Sequence, residues 1–436
     1  MPDDTKHRPN LSDKLNRRKF LGVAAATAGV MFIKPGLVRG TAANSAIRVG
    51  LLGCGGRGSE DATNLIDTGG ARVVALADLF QDQLDKARSR FDKAQQAKGF
   101  SAVDASQVFT GADAYKQIAA SKEVDAIVIV TPPHYHPGHL EAAVAAGKHV
   151  YLEKPVAVDV PGAKKVIEIG KRAEGKLSLD VGFQIRDCPP FVEMVHRIHN
   201  GALGKIVCGE AHYFASYLDR PAWPDASPVE RRLRNWVYDR VLSGDIIVEQ
   251  NIHVIDICNW ILKAHPLKAS ATGGREGRPT DGDVYGNYNA LFHYPDGVDV
   301  TFSSTQFAKG WWDVTERFFG TKGTSQSPYT GPLGIWGDEP WQATASPAKE
   351  KAEAQAFSVT GSFSSNLEFA DREKKKAFIE SIASGNFHNQ ADKGAESALS
   401  CMMARTAAYT GREVTWEETL KSRETWDPKI DLNKLR

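Results

Sequence analysis

Four short, almost continuously apolar runs between residues 47 and 152 limit what this chain can fold into more than any other feature. Ile47–Leu52 stops at Gly53, and Arg72–Ala77 stops at Asp78. Asp125–Val130 stops at Thr131-Pro132-Pro133, and His149–Leu152 at Glu153-Lys154-Pro155. Helical patterns such as Leu140–Ala146, closed by Gly147, lie between them. A strand with no polar alternation is buried on both faces, as happens when helices cover both sides of a parallel sheet. A last helix and strand between Val160 and Phe183 complete the unit. Residues 47–183 are therefore expected to form a doubly wound α/β domain.

Beyond residue 183 the texture changes. A helix over Phe191–His199 ends at Asn200-Gly201, a helix stop. Strand-like runs follow at Ile206–Phe214, Gly286–His293, Val298–Ser304 and Val314–Phe319. Pro295-Asp296-Gly297 and Thr321-Lys322-Gly323 read as reversals between antiparallel strands. Residues 184–436 are expected to be an α+β domain with an open, mainly antiparallel sheet. Helices near Glu368–Ile382 and Ala395–Tyr409 close the chain, and 338–365 reads as a surface excursion.

Residues 1–46 read as a signal and linker. Lys14, Arg17, Arg18 and Lys19 precede an apolar run from Phe20 to Ile33. That run is about 14 residues, short of the roughly 20 needed to span a bilayer. Asn16-Arg17-Arg18-Lys19-Phe20-Leu21 resembles a twin-arginine (Tat) export signal, with Thr41 to Ala46 as the region of cleavage. The reading makes the Tat machinery a partner and the periplasm, or another exported location, the destination. No later segment is long and apolar enough to span a membrane. A net charge of +1 gives no electrostatic reason to expect nucleic acid. The five cysteines are scattered without a CxxC pair, which argues against a disulfide framework and a structural zinc.

Gly53-Cys54-Gly55-Gly56-Arg57-Gly58 is a GxGxxG that follows a strand and opens a helix. That context makes it a pyrophosphate loop: one glycine for the turn, one for close backbone approach, one for helix–strand packing. Asp78 stands where a carboxylate accepts the adenosine ribose hydroxyls and repels a 2′-phosphate. NAD is expected, in preference to NADP. Open parallel sheets bind ligands past the carboxyl ends of their strands. Thr131, Pro132, His136, Glu153 and Lys154 fall there and are assigned to the cofactor side. Lys154 is also placed to polarise a hydroxyl or carbonyl oxygen beside the nicotinamide. His134, His136 and His139 lack a nearby carboxylate, so no metal is expected.

Helical spacing places Glu249, His253, Asp256 and Trp260 on one stripe, apart from Val248, Ile252 and Ile255. A titratable stripe on an apolar helix suits a wet cavity. His253 is the candidate general base, with Glu249 or Asp256 to orient it. Trp223, Trp236, Trp311 and Trp312 are candidates for stacking on sugar faces.

Taken together, the chain resembles the Gfo/Idh/MocA oxidoreductases. The matching pieces are the Gly53–Gly58 loop, Thr131-Pro132 with His136, and Ala146-Gly147-Lys148-His149-Val150 running into Glu153-Lys154-Pro155. Gly201-Ala202-Leu203-Gly204-Lys205-Ile206, His253–Asp256 and Gly320-Thr321-Lys322-Gly323 continue the match. The resemblance implies a Rossmann domain plus an open sheet, and a sugar, polyol or glycoside substrate. It also implies a catalytic lysine at Lys154, a catalytic histidine at His253, and a homo-oligomer. The chain departs from the family pattern at Glu249, Asn251 and Pro133, all near the substrate. A Tat substrate crosses folded and can carry NAD with it, which favours chemistry that restores the cofactor on the protein. Dismutation of two sugars does so, and so does a glycosidase cycle of oxidation, elimination, hydration and reduction; a periplasmic electron carrier is a third route. A non-catalytic NAD- or sugar-binding sensor would not need Lys154 together with His253.

Overall fold

β1 (Ile47–Leu52) rises into the glycine turn and is followed by α1 (Gly56–Asp67). The chain then alternates β2 (Ala71–Asp78), α2 (Gln81–Gln96), β3 (Val108–Thr110), α3 (Ala114–Ala120), β4 (Ala126–Ile129) and α4 (His136–Ala145). β5 (His149–Leu152), α5 (Val160–Ala173) and β6 (Leu179–Val181) complete the alternation. The six strands form one parallel sheet in the order β3-β2-β1-β4-β5-β6. Val49, Leu51, Val73 and Val128 face one apolar cluster, while Leu52, Ala75, Ile127 and Ile129 face another. Burial on both faces is what the unbroken apolar runs require. The strand order reverses between β1 and β4, which opens a crevice at their carboxyl ends.

The computed structural model describes residues 45–218, 220–277, 282–344 and 365–435. The twin-arginine segment, nearly all of its expected cleavage region and most of the 338–365 excursion lie outside them. Residues 46–436 make one compact unit.

After α6 (Pro189–His199) and β7 (Ile206–Phe214) come α7 (Pro228–Arg234), α8 (Arg240–Ser243), α9 (Ile246–Glu249) and α10 (Ile252–Leu262). β8 (Lys268–Gly274), β9 (Asn287–His293), β10 (Asp299–Thr305), β11 (Asp313–Gly320), β12 (Gly323–Gln326), β13 (Gly334–Gly337) and β14 (Trp341–Gln342) follow. The chain ends with α11 (Ala370–Ser384), α12 (Ala391–Thr410), β15 (Val414–Thr415) and α13 (Trp416–Lys421). The nine strands run β14-β13-β12-β11-β7-β10-β9-β8-β15. Neighbours are antiparallel except β7 and β10, which are parallel, so the sheet is mixed. The expected reversals join β9 to β10 and β11 to β12. Along β10, Val300 and Phe302 are buried while Asp299, Thr301 and Ser303 point the other way, the period of a strand with one covered face.

α11 and α12 also pack against the first domain. α11 inserts Phe378, Ile379 and Ile382 into the cluster beneath β1 and β2. A Cβ on Gly394 of α12 would come within 2.7 Å of Val156, so this helix rides close against the first domain. The expected second domain, 184–436, thus contributes helices to both sheets, since an amphipathic stripe does not say which sheet it covers.

Candidate functional site

The glycines of the first turn are of two kinds. Gly53 has φ +98°, and a Cβ there would lie 2.6 Å from the Val130 carbonyl. At Gly58 a Cβ would lie 2.0 Å from the Gly53 carbonyl. These two are required by packing. At Gly55 and Gly56 a Cβ would meet nothing within 4 Å, so here the bare backbone faces open space. α1 starts at Gly56 without a side-chain cap, which leaves its first N–H groups and its positive dipole end for an anion. Asp78 accepts the Cys54 N–H at 2.7 Å and the Phe80 N–H at 2.9 Å, holding the turn in shape. Burial raises its pKa. A carboxylate has about four lone-pair sites, so two bonds leave room for ribose hydroxyls. The residues present fit a dinucleotide.

Arg57 and Glu153 serve the loop from behind. The Arg57 guanidinium donates to Glu153 Oε1 at 3.0 and 3.1 Å and to Asp371 Oδ1 at 2.6 Å, and it lies 3.2 Å from Asp61. Lys375, from α11, adds a contact to Asp61 at 2.6 Å and donates to the Tyr151 hydroxyl at 2.8 Å. Burial alone would raise the Asp371 carboxyl, but Arg57 and Lys375 hold it at about 2. Arg57 and Glu153 are two of the residues expected on the cofactor side. They edge the cleft, yet their charges are spent inside this network. Asp371 and Lys375, more than 300 residues from Arg57, carried no sequence signal.

His136 sets Nδ1 against the Pro155 carbonyl and Nε2 against the Thr131 carbonyl, both at 2.7 Å, between the two strand-end loops, and its neutral ring donates to one of the two. Burial lowers its pKa to about 4. Thr131 meets His139 Nδ1 at 2.9 Å, and burial lowers His139 to about 3. Thr131, Pro132, His136, Glu153 and Lys154 all line one cleft of about 660 Å³ that begins at the glycine turn.

Glu249 and His253 line the same cleft from the opposite side. The Lys154 ammonium donates to the Glu249 carbonyl at 2.7 Å and lies 3.5 Å from its carboxylate. Burial, then the charges of Lys154 and Arg57, push His253 well below its ordinary pKa, so its imidazole is neutral. Its Nδ1 is buried without a hydrogen-bond partner among the described residues, and Phe183 stands edge-on at 6.2 Å. Glu249 thus orients the lysine, not the histidine. Asp256 turns away altogether: it takes Arg186 at 2.8 and 2.9 Å and Ser397 at 2.7 Å. Trp260 packs under Arg186 at 5.3 Å. The expected stripe fails because the helix is interrupted at Gln250-Asn251, and its later turns face a buried brace.

Gln184, Tyr213, Gln250 and Tyr329 add to the polar lining and carried no assignment in the sequence reading. Gln184 follows the end of β6, so the strand-end rule would have found it; its Oε1 is buried without a partner. Tyr329 had no such signal. Its loop is pinned by Asn366, which donates its main-chain N–H to the Tyr329 carbonyl at 3.0 Å. Trp223 and Trp236 reach the cleft, but Trp311 and Trp312 do not line it. Trp311 is 58% exposed beside Phe214, and Trp312 packs against the core.

Residues 47–181 match the model of an oxidoreductase family with an NAD-binding Rossmann fold. Residues 191–326 match a GFO/IDH/MocA C-terminal domain. The inositol 2-dehydrogenase of Rhizobium meliloti (strain 1021) is 26% identical over 291 residues, 66% of this chain and 78% of that protein. Several further curated inositol 2-dehydrogenases align over 44% to 62% of their length. Among solved structures, the aldose-aldose oxidoreductase of Caulobacter crescentus complexed with glycerol superposes with a TM-score of 0.66 at 18% identity, covering 85% of this chain and 99% of that one. Levoglucosan dehydrogenase in complex with NADH and levoglucosan gives 0.65 at 20% identity, with the same coverage of 85% and 99%. At such identities the likeness is one of fold.

Proposed function

The chain belongs to the Gfo/Idh/MocA oxidoreductases and carries their NAD-binding Rossmann domain, and on that premise we propose that it oxidises a ring hydroxyl of a sugar, polyol or glycoside to the carbonyl and reduces that carbonyl in the reverse direction. The supporting observation is that Lys154 and His253, from different domains, line one cleft that opens from the glycine turn. Bound NAD supplies a two-electron acceptor for the hydride leaving the substrate carbon. Lys154, fixed by Glu249, donates to the reacting oxygen. His253, neutral and desolvated, takes the hydroxyl proton as the carbonyl forms, and returns it in the reverse direction. Gln184 and Tyr329 offer hydrogen-bonding groups to neighbouring ring hydroxyls. The relatives named inositol 2-dehydrogenase and levoglucosan dehydrogenase fit this substrate class.

The twin-arginine segment favours a refinement in which the protein is exported with its nucleotide aboard. A cofactor that does not exchange must regain its redox state on the protein, by sugar dismutation or by the transient-ketone glycosidase cycle. The test is incubation with glycosides and free sugars, without added NAD, read by mass spectrometry. Aglycone release without net redox change selects the glycosidase cycle, and paired lactone and polyol select dismutation. Lys154→Ala is expected to lower turnover by roughly 10²–10⁴-fold with nucleotide still bound. Unchanged turnover would remove Lys154 from the chemistry.

A further inference from the structure

The cleft has a third wall. Residues 220–239, between β7 and α8, run along its mouth, and Arg220, Trp223, Leu233, Arg234 and Trp236 line it beside Gly53–Gly58, Asp78 and Phe80. The neck of this segment is closed. Leu218, Val237, Tyr238 and Val284 form an apolar cluster apart from the two main cores, and Tyr217 stacks on Tyr238 at 5.0 Å. A loop with its ends pinned together is packed by its own side chains.

Arg234, the last residue of α7, fastens the other side. Its side chain is 10% exposed. Nη2 donates to Asp82 at 2.8 Å and Nε to Glu230 at 2.7 Å. The guanidinium lies 3.9 Å from the centre of the Phe80 ring and 4.4 Å from that of Trp223. Phe80 and Asp82 lie just past Asp78, where a Rossmann sheet meets the adenosine ribose. Trp223 Nε1 and Arg220 Nε are buried in this wall with no hydrogen-bond partner among the described residues. Donors of that kind suit ribose oxygens and a diphosphate.

We propose that residues 220–239 are part of the nucleotide site: a strap, latched by Arg234, that walls the adenosine half of the cleft and makes the dinucleotide resident. The proposal rests on the NAD-dependent reading above. For the nucleotide to leave, the Arg234–Asp82 pair must break and the guanidinium must withdraw from between two rings. The strap thereby supplies, from this chain alone, the slow exchange that a carried cofactor needs.

The experiment uses the full-length protein loaded with NADH, freed of excess by gel filtration and chased with a large excess of NAD. Loss of bound-NADH fluorescence gives the release rate. Arg234→Ala is expected to release at least ~10-fold faster than the parent, because an ion pair and two cation–π contacts are lost, with Arg234→Lys and Asp82→Asn between the two, the latter losing only the ion pair. Asp82→Asn alters a more exposed partner and keeps the test open if Arg234→Ala does not fold. Release at an equal or slower rate in the variants, with NADH bound, overturns the strap and leaves the cofactor reading standing. A parent protein that takes up no NADH and yields no nicotinamide nucleotide on denaturation overturns both.

Discussion

The two walls of the cleft are built on opposite terms. The Rossmann wall offers backbone: bare glycines, a helix N-terminus and one carboxylate, all within residues 53–78. The facing wall offers side chains, Glu249, His253, Gln184 and Tyr329, gathered from segments spread over residues 184–329. A site that binds through main-chain groups needs a particular local path, and a local path is written in consecutive residues. A site made of side chains needs only that distant segments meet, and any one of its residues looks ordinary alone.

Replacing side chains on the facing wall should separate chemistry from architecture most strongly. His253→Ala is expected to lower kcat by roughly 10²–10⁴-fold while NADH still binds, a split read by steady-state kinetics and fluorescence titration. Asp256→Asn, one helical turn away, should do the reverse. It strips Arg186 of a buried partner, costing about 3 kcal/mol in a denaturant titration, with kcat held in the folded protein. Equal behaviour of the two variants would erase the distinction drawn along α10.

On the backbone wall the glycines provide the next contrast. Gly58→Ala forces a Cβ to 2.0 Å from the Gly53 carbonyl and should cost roughly 2–3 kcal/mol of stability. Gly56→Ala meets open space, so stability should hold while nucleotide affinity falls, because the methyl group occupies room meant for a phosphate. Thermal melts with and without NADH would tell these apart. A destabilised Gly56→Ala would contradict the reading of that space.

The smallest effect per residue concerns pH. His136 and His139, held by burial at about 4 and about 3, and His253, lowered further by Lys154, are neutral in the folded protein. Unfolded, each titrates near 6.5. Between those values the unfolded chain binds more protons, so this stabilisation is complete above about pH 6.5 and declines as pH falls below it. A loss of roughly 1–2 kcal/mol per histidine between pH 6.5 and 5 is expected, and His139→Gln should flatten the curve. A melting temperature independent of pH across that interval would show that the histidines do not ionise on unfolding.

The fold was legible where physics is local. β1, β5 and β7 fall on the runs marked out by their apolar pattern, and the reversals at Pro295–Gly297 and Thr321–Gly323 sit between the expected strands. β3, three residues long, and β15, two residues long, left no such trace, since a short pairing strand is defined by its neighbour. At the site, the glycine turn, Asp78 and the strand-end lysine were visible for the same reason. Asp256 was misplaced because helical spacing fixes which residues share a stripe, not what that stripe faces.

Consecutive residues by themselves determined a parallel sheet, a phosphate-binding turn and the carboxylate beside it, because each follows from torsion angles and burial over a few positions. Only the tertiary structure decided that Arg57 turns to Asp371, that α11 returns to the first sheet, and that Arg234 closes over Phe80. Those are pairings of charge and apolar surface between distant segments, and their partners are chosen by packing in three dimensions.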